Sequence, residues 1–127
     1  MKKISTLLSL LLAPFIANSQ DTLTTVTYNL LNYQSGVGSR DQYYRTILRH
    51  VRPDLLVVQE ISNSSGSTQQ ASVDSFYSRV VNVVFPGQFL KGTFIPDPND
   101  TGNEIYYKPS KFTFVSNTPI HTALRDI

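Results

Sequence analysis

No cysteine occurs among the 127 residues. Disulfide staples and thiolate chemistry are excluded with it, so stability outside the cytoplasm would come from packing or a bound metal. A lipid-anchored leader is excluded too, because that anchor needs a cysteine at the cleavage point. No internal repeat and no run of like charge occurs. The apolar run from Leu7 to Ala17 falls well short of the roughly 20 residues a membrane-spanning helix needs, and Pro14 interrupts it.

Net charge is also scarcer than it looks. Of eleven Lys and Arg, two are Lys2 and Lys3 at the extreme start; the nine that remain face nine Asp and Glu. The body of the chain is therefore about neutral, and the isoelectric point near 9.0 does not argue for nucleic-acid binding. A composition of 40% hydrophobic and 16% charged residues suits one globular domain with one core.

Met1-Lys2-Lys3, the apolar run and the small residues of Ala17-Asn18-Ser19 have the order of a bacterial secretory signal, cleaved before Gln20. The expectation is a signal peptide over 1–19 and a domain over 20–127, exported to the periplasm or the medium, with no stable membrane anchor.

The rest is organised around Pro53-Asp54-Leu55-Leu56-Val57-Val58-Gln59-Glu60. Four aliphatic residues in a row predict a strand buried on both faces, and Glu60 would stand where that strand leaves the core. Open α/β sheets bind ligands along that carboxyl edge. A solvent-facing strand-end Glu is the alternative.

Thr22 to Tyr28 predicts a first strand by β-propensity and runs into Asn29. Ser39-Arg40-Asp41-Gln42 has a capping-box pattern, with Ser39 as N-cap. Tyr44, Ile47, Leu48 and Val51 form one apolar helical face after it, with Arg45, Arg49 and Arg52 around the other side and Pro53 as the stop. Strand, helix and strand at this spacing suit a crossover with parallel strands, which would bring Asn29 and Glu60 to one edge. His50 lies beside the apolar face with no second ligand at metal spacing, which favours a structural or solvent role.

Val73, Phe76, Tyr77, Val80 and Val81 predict a second helix over about Gln69 to Asn82, with its aromatic pair in the core. Val83-Val84-Phe85 is expected to be extended and Thr93-Phe94-Ile95 to be a strand. Asn103 to Tyr107 and Phe112 to Ser116 predict a hairpin about the turn Lys108-Pro109-Ser110-Lys111. Thr122 to Ile127 would open another strand, with His121 in the link before it.

Thr25-Val26-Thr27-Tyr28-Asn29-Leu30, a helix, and the strand ending Gln59-Glu60 together resemble the endonuclease/exonuclease/phosphatase superfamily. Gly102-Asn103-Glu104-Ile105-Tyr106-Tyr107-Lys108 is similar to the family's next block, and Leu124-Arg125-Asp126-Ile127 to its Arg-containing strand. The resemblance implies an α+β fold of the deoxyribonuclease I-like four-layer sandwich type, of which this chain holds roughly the first half: one mixed sheet with flanking helices. It implies Glu60 as principal Mg²⁺ ligand with Asn29 beside metal and phosphate, Mn²⁺ being an alternative ion. Asn103 and Arg125 would contact substrate or phosphate, though a turn Asn and a surface Arg are equally open readings.

The substrate class implied is a phosphate ester, with a nuclease-like activity on nucleic acid the favoured reading by association and sphingomyelin and inositol or sugar phosphates the alternatives. The family's second half carries a Gly-Asp-Xaa-Asn segment, a histidine and a final Ser-Asp-His segment, none of which occurs here. No residue of this chain is therefore assigned general-base catalysis, His121 included, since the family's histidines follow the Arg strand. The expectation is an N-terminal portion of an exported metal-dependent phosphodiesterase, inactive by itself. A non-catalytic binding module or pseudoenzyme remnant of the same fold, and a generic secreted α/β domain, are the alternatives.

Overall fold

Residues 21–36, 38–62, 68–97 and 101–119 are described by the computed structural model of the chain. The expected leader, His121, Arg125 and the strand expected near Leu124 lie outside the described residues.

Two β-rich segments, β1 (Thr25–Tyr33) and β2 (Leu55–Ile61), flank helix α1 (Asp41–Val51). They pair in parallel, Thr25 opposite Leu55 through Asn29 opposite Gln59. Helix α2 (Gln69–Phe76) continues through a π-helical turn, Tyr77–Val81, into a last short turn, α3 (Asn82–Val84). The two-residue β3 (Leu90–Lys91) and then β4 (Gly102–Tyr107) complete one mixed sheet in the order β1-β2-β4-β3. β4 runs antiparallel to both of its neighbours. The architecture is α+β, with one mixed four-stranded sheet and its helices.

The helices cover one face of that sheet. Leu30 and Tyr33 of β1, Leu56, Val58 and Ile61 of β2 and Tyr106 of β4 form one buried cluster with Tyr44, Leu48, Val73, Phe76, Val80 and Val81. Its centre is aromatic: Tyr33, Tyr44 and Phe76 meet edge to face at 5.1 to 5.9 Å between centroids, the arrangement their quadrupoles favour. Every buried hydroxyl there has an acceptor, Tyr33 on Asp41, Tyr44 on the Leu30 carbonyl and Tyr106 on the Val73 carbonyl. Phe76 is a core residue and Tyr77 stacks on Tyr106, as the helical spacing suggested.

On the opposite face, Leu55 and Val57 are only half-buried, and Thr27, Asn29, Gln59, Asn103 and Ile105 are exposed. β2 is thus sealed on one face rather than both. The four-residue apolar run carries no periodicity that could distinguish the two cases.

Several local expectations are corrected. Ser39 does not cap α1: it falls inside a 3₁₀ turn, Gly38–Arg40, so that Arg40 takes the cap position with no side-chain cap bond. Ile47 lies at the exposed rim of its apolar face. Val83 and Val84 are helical, because the π turn shifts the register and prolongs the helix. Thr93 to Ile95 is not a strand; Leu90–Lys91 takes that place. Phe112 to Ser116 forms no hairpin arm, since β2 and β3 already occupy both edges of β4 at Tyr106 and Tyr107. Pro53 ends α1 as expected, with Arg52 in the left-handed region at φ 47° and its N–H bonded to the Leu48 carbonyl.

Candidate functional site

Regular pairing fails in two adjacent strands at the same height. Between Asn29 opposite Gln59 and Tyr33 opposite Ile61, β1 spends four residues where β2 spends two. Between Val58 opposite Glu104 and Ile61 opposite Gly102, β2 spends three where β4 spends two. The surplus residues are also the left-handed ones: Leu31 at φ 51°, Asn32 at 55° and Glu60 at 58°. None is glycine, and left-handed backbone costs on the order of 1 kcal/mol at Leu31 and at Glu60, and less at Asn32, whose short polar side chain tolerates it. Bulges of this kind bend the strand and re-aim the side chain they carry.

The re-aimed side chain is that of Glu60. Its Oε1 accepts a hydrogen bond of 2.7 Å from Asn29 Nδ2. Asn29 Oδ1 in turn accepts from the N–H of Leu31 at 2.8 Å, within the bulge itself. That second bond settles which way the amide faces, since a reversed amide would set its NH₂ against another N–H. Asn29 therefore turns a donor, not its oxygen, toward the carboxylate. Glu60 Oε2 makes no hydrogen bond among the described residues, and Glu60 is half-exposed.

Asn29 and Glu60, paired from the sequence pattern, do meet at one sheet edge. Asn103 joins them by register: it stands between Gly102, opposite Ile61, and Glu104, opposite Val58, and so across from the Glu60 bulge on the exposed face. Arg125 lies outside the described residues. His50 is exposed on α1. Among the described residues no three His, Cys, Asp or Glu converge. A cation at this edge would rest on one protein carboxylate, with water and substrate oxygens completing its shell. That is an ordinary donor set for Mg²⁺, which dehydrates reluctantly and is often held by one or two carboxylates plus phosphate.

Three charged groups were not singled out by the sequence pattern. Asp54, at the amino end of β2, accepts from the Thr24 N–H at 3.1 Å and pairs with Lys108 at 2.8 Å and Lys111 at 3.2 Å. The hydrogen bond from Lys108 and that from Thr24 hold its carboxyl down at about 2. It ties β1, β2 and the end of β4 together at the edge opposite Glu60. Glu104 is the reverse case. It points into the helix-covered side, its Oε1 accepts from the Ile105 N–H at 2.7 Å, and its Oε2 is buried without a partner. Burial pushes this carboxyl up to about 7. The third is Arg40, whose guanidinium donates to carbonyls of the β1 bulge. A lone Glu inside a strand and an Arg before a helix carry no sequence signal of such roles.

Among the described residues no helix is long and apolar enough to cross a membrane. No family model, curated protein or solved structure matches the chain.

Proposed function

We propose that this chain forms the metal-holding edge of an exported, Mg²⁺-dependent phosphodiesterase of the endonuclease/exonuclease/phosphatase type, with a deoxyribonuclease I-like fold. The observation that carries the proposal is the Asn29–Glu60 hydrogen bond on paired, left-handed bulges at the carboxyl edge of a mixed sheet. Backbone strain of this kind persists where the surrounding structure over-determines it, and it concentrates at functional sites.

Glu60 would hold the cation through Oε2, while Asn29 fixes the carboxylate by donating to Oε1. Restraining a ligand from its other oxygen sets its rotamer before the ion arrives and reduces the ordering lost on binding. Asn103, on the exposed face across from the bulge, would donate to a phosphate oxygen. When bound, the cation supplies polarisation of the phosphoryl oxygen and stabilisation of the leaving oxyanion. None of Glu60, Asn29 and Asn103 serves as the general base, which would be supplied by another group. Phosphate esters are the substrate class, nucleic acid among them.

The test is a Mg²⁺ and Mn²⁺ titration followed by thermal unfolding. A site on the native state raises Tm with ion concentration through linkage, and Glu60→Ala should remove the response. A response that survives Glu60→Ala would reject the site. No response in the wild type at millimolar ion would favour a non-catalytic module of the same fold.

A further inference from the structure

We propose that Arg40 is the positioning residue of this edge: it clamps the β1 bulge, and through the bulge it orients Asn29 and hence Glu60.

Two consecutive left-handed residues, Leu31 and Asn32, are an unusual backbone for side chains other than glycine, and Leu31 is 68% exposed, so packing does not hold it. Polar contacts do. Arg40 Nη1 donates to the Leu31 carbonyl at 2.8 Å and to the Leu30 carbonyl at 3.1 Å, and Nη2 reaches the Asn32 carbonyl at 3.5 Å. Helical backbone of either hand points successive carbonyls the same way. Their partial negative charges therefore gather at one spot, and a planar cationic fork matches that spot as a point charge does not. The fork is itself braced. Its guanidinium carbon lies 5.9 Å from the Tyr44 ring centroid, and the Tyr44 hydroxyl donates to the same Leu30 carbonyl at 2.8 Å.

The bulge is what presents the Leu31 N–H to Asn29 Oδ1, and that bond turns Nδ2 toward Glu60. Four groups thus form one chain of contacts: guanidinium, bulge carbonyls, Asn29 amide, Glu60 carboxylate. Arg40 stands at the N-cap position of α1, where a donor-only guanidinium has no backbone N–H to serve, so the fork is free to reach the bulge. Removal of the fork frees the bulge to relax toward extended backbone, swings the Leu31 N–H away, and releases the Asn29 amide.

The consequence for metal rests on the function proposed above; the consequence for Asn29 does not, so the two are measured separately. In the ¹⁵N-labelled full chain, the Asn29 Nδ2H₂ pair is identified by its loss in Asn29→Asp and is expected to shift in Glu60→Gln. In Arg40→Ala the pair should move to the position of free side-chain amides, while backbone amides of Val58 and Tyr106 stay in place. Mn²⁺ affinity should fall about tenfold or more, the usual scale for loss of a group that orients a ligand. Should Arg40→Ala not fold, Arg40→Lys decides by the same resonances. It keeps the charge and the aliphatic stem but not the fork, and should also release the amide. An Asn29 pair unmoved in whichever of these variants folds overturns the proposal. A wild type that takes no Mn²⁺ rejects the metal function and leaves the amide shift to judge the clamp.

Discussion

Asn29 and Glu60 stand 31 residues apart in the chain and 2.7 Å apart in space, joined by a donor on one and an acceptor on the other. The polarity of that bond predicts unequal variants. On the proposed function, Glu60→Gln should abolish Mn²⁺ binding, because it removes the charge. Asn29→Leu should weaken binding about tenfold, because it removes only the restraint. Isothermal titration checks both, and equal losses would make Asn29 a direct ligand instead.

Asp54 predicts behaviour in acid. Its carboxyl ionises near 2 in the folded chain against an ordinary 3.8, so the unfolded chain binds the proton first as pH falls. The stability it contributes is complete above about 3.8 and is lost as pH drops through 2. Asp54→Asn should cost about 2 kcal/mol at neutral pH, since Lys108 loses its carboxylate while Lys111 keeps Asp21 and the Thr22 carbonyl. Urea unfolding at a series of pH values should show that cost vanishing near pH 2.

Glu104 predicts the opposite slope. Burial raises its carboxyl from the ordinary 4.5 to about 7, so the folded chain holds the proton longer than the unfolded one. Stability is complete below about 4.5, declines as pH rises through 7, and then levels off. A gap of this size corresponds to about 3 kcal/mol. Glu104→Gln keeps the shape without the charge and should be more stable than wild type at pH 8 by up to that amount, with little difference at pH 4. A variant no more stable at pH 8 would mean that Lys91 and the neighbouring backbone donors already compensate the buried charge.

Gly38 and Arg79 predict a coupling. The Arg79 Nε lies 2.8 Å from the buried Asp41 carboxylate, and the same guanidinium occupies the space where a side chain on Gly38 would begin. Gly38 is not left-handed, so its need for glycine is one of room and not of backbone conformation. Gly38→Ala should push Arg79 off Asp41 and cost about 2 kcal/mol, much as Arg79→Ala does, both leaving a buried carboxylate under-paired. In the double variant the second change should add almost nothing. Full additivity would place the cost of Gly38→Ala elsewhere.

Much of this was determined by the sequence alone. The apolar run of β2, the β-propensity of β1 and the 3.6-residue spacing of Tyr44, Leu48 and Val51 each express a local rule, and local rules are readable from the chain. So is the parallel pairing that brings Asn29 to Glu60, because a strand, a helix and a strand at that spacing have few ways to connect. Tertiary structure decided the rest. Leu90–Lys91 outcompeted Phe112 to Ser116 for β4, and β-propensity does not say which segment wins an edge. A π turn carried α2 on into residues that looked extended. The left-handed backbone at Leu31 and Glu60 runs against the preferences of those residues, though not of Asn32, and it stands because Arg40, Asn29 and neighbouring strands hold it. The pattern of residues shows which side chains can meet at the edge. Only the packed chain sets the angle at which they do, because that angle is stored in backbone strain that no residue in the pattern prefers.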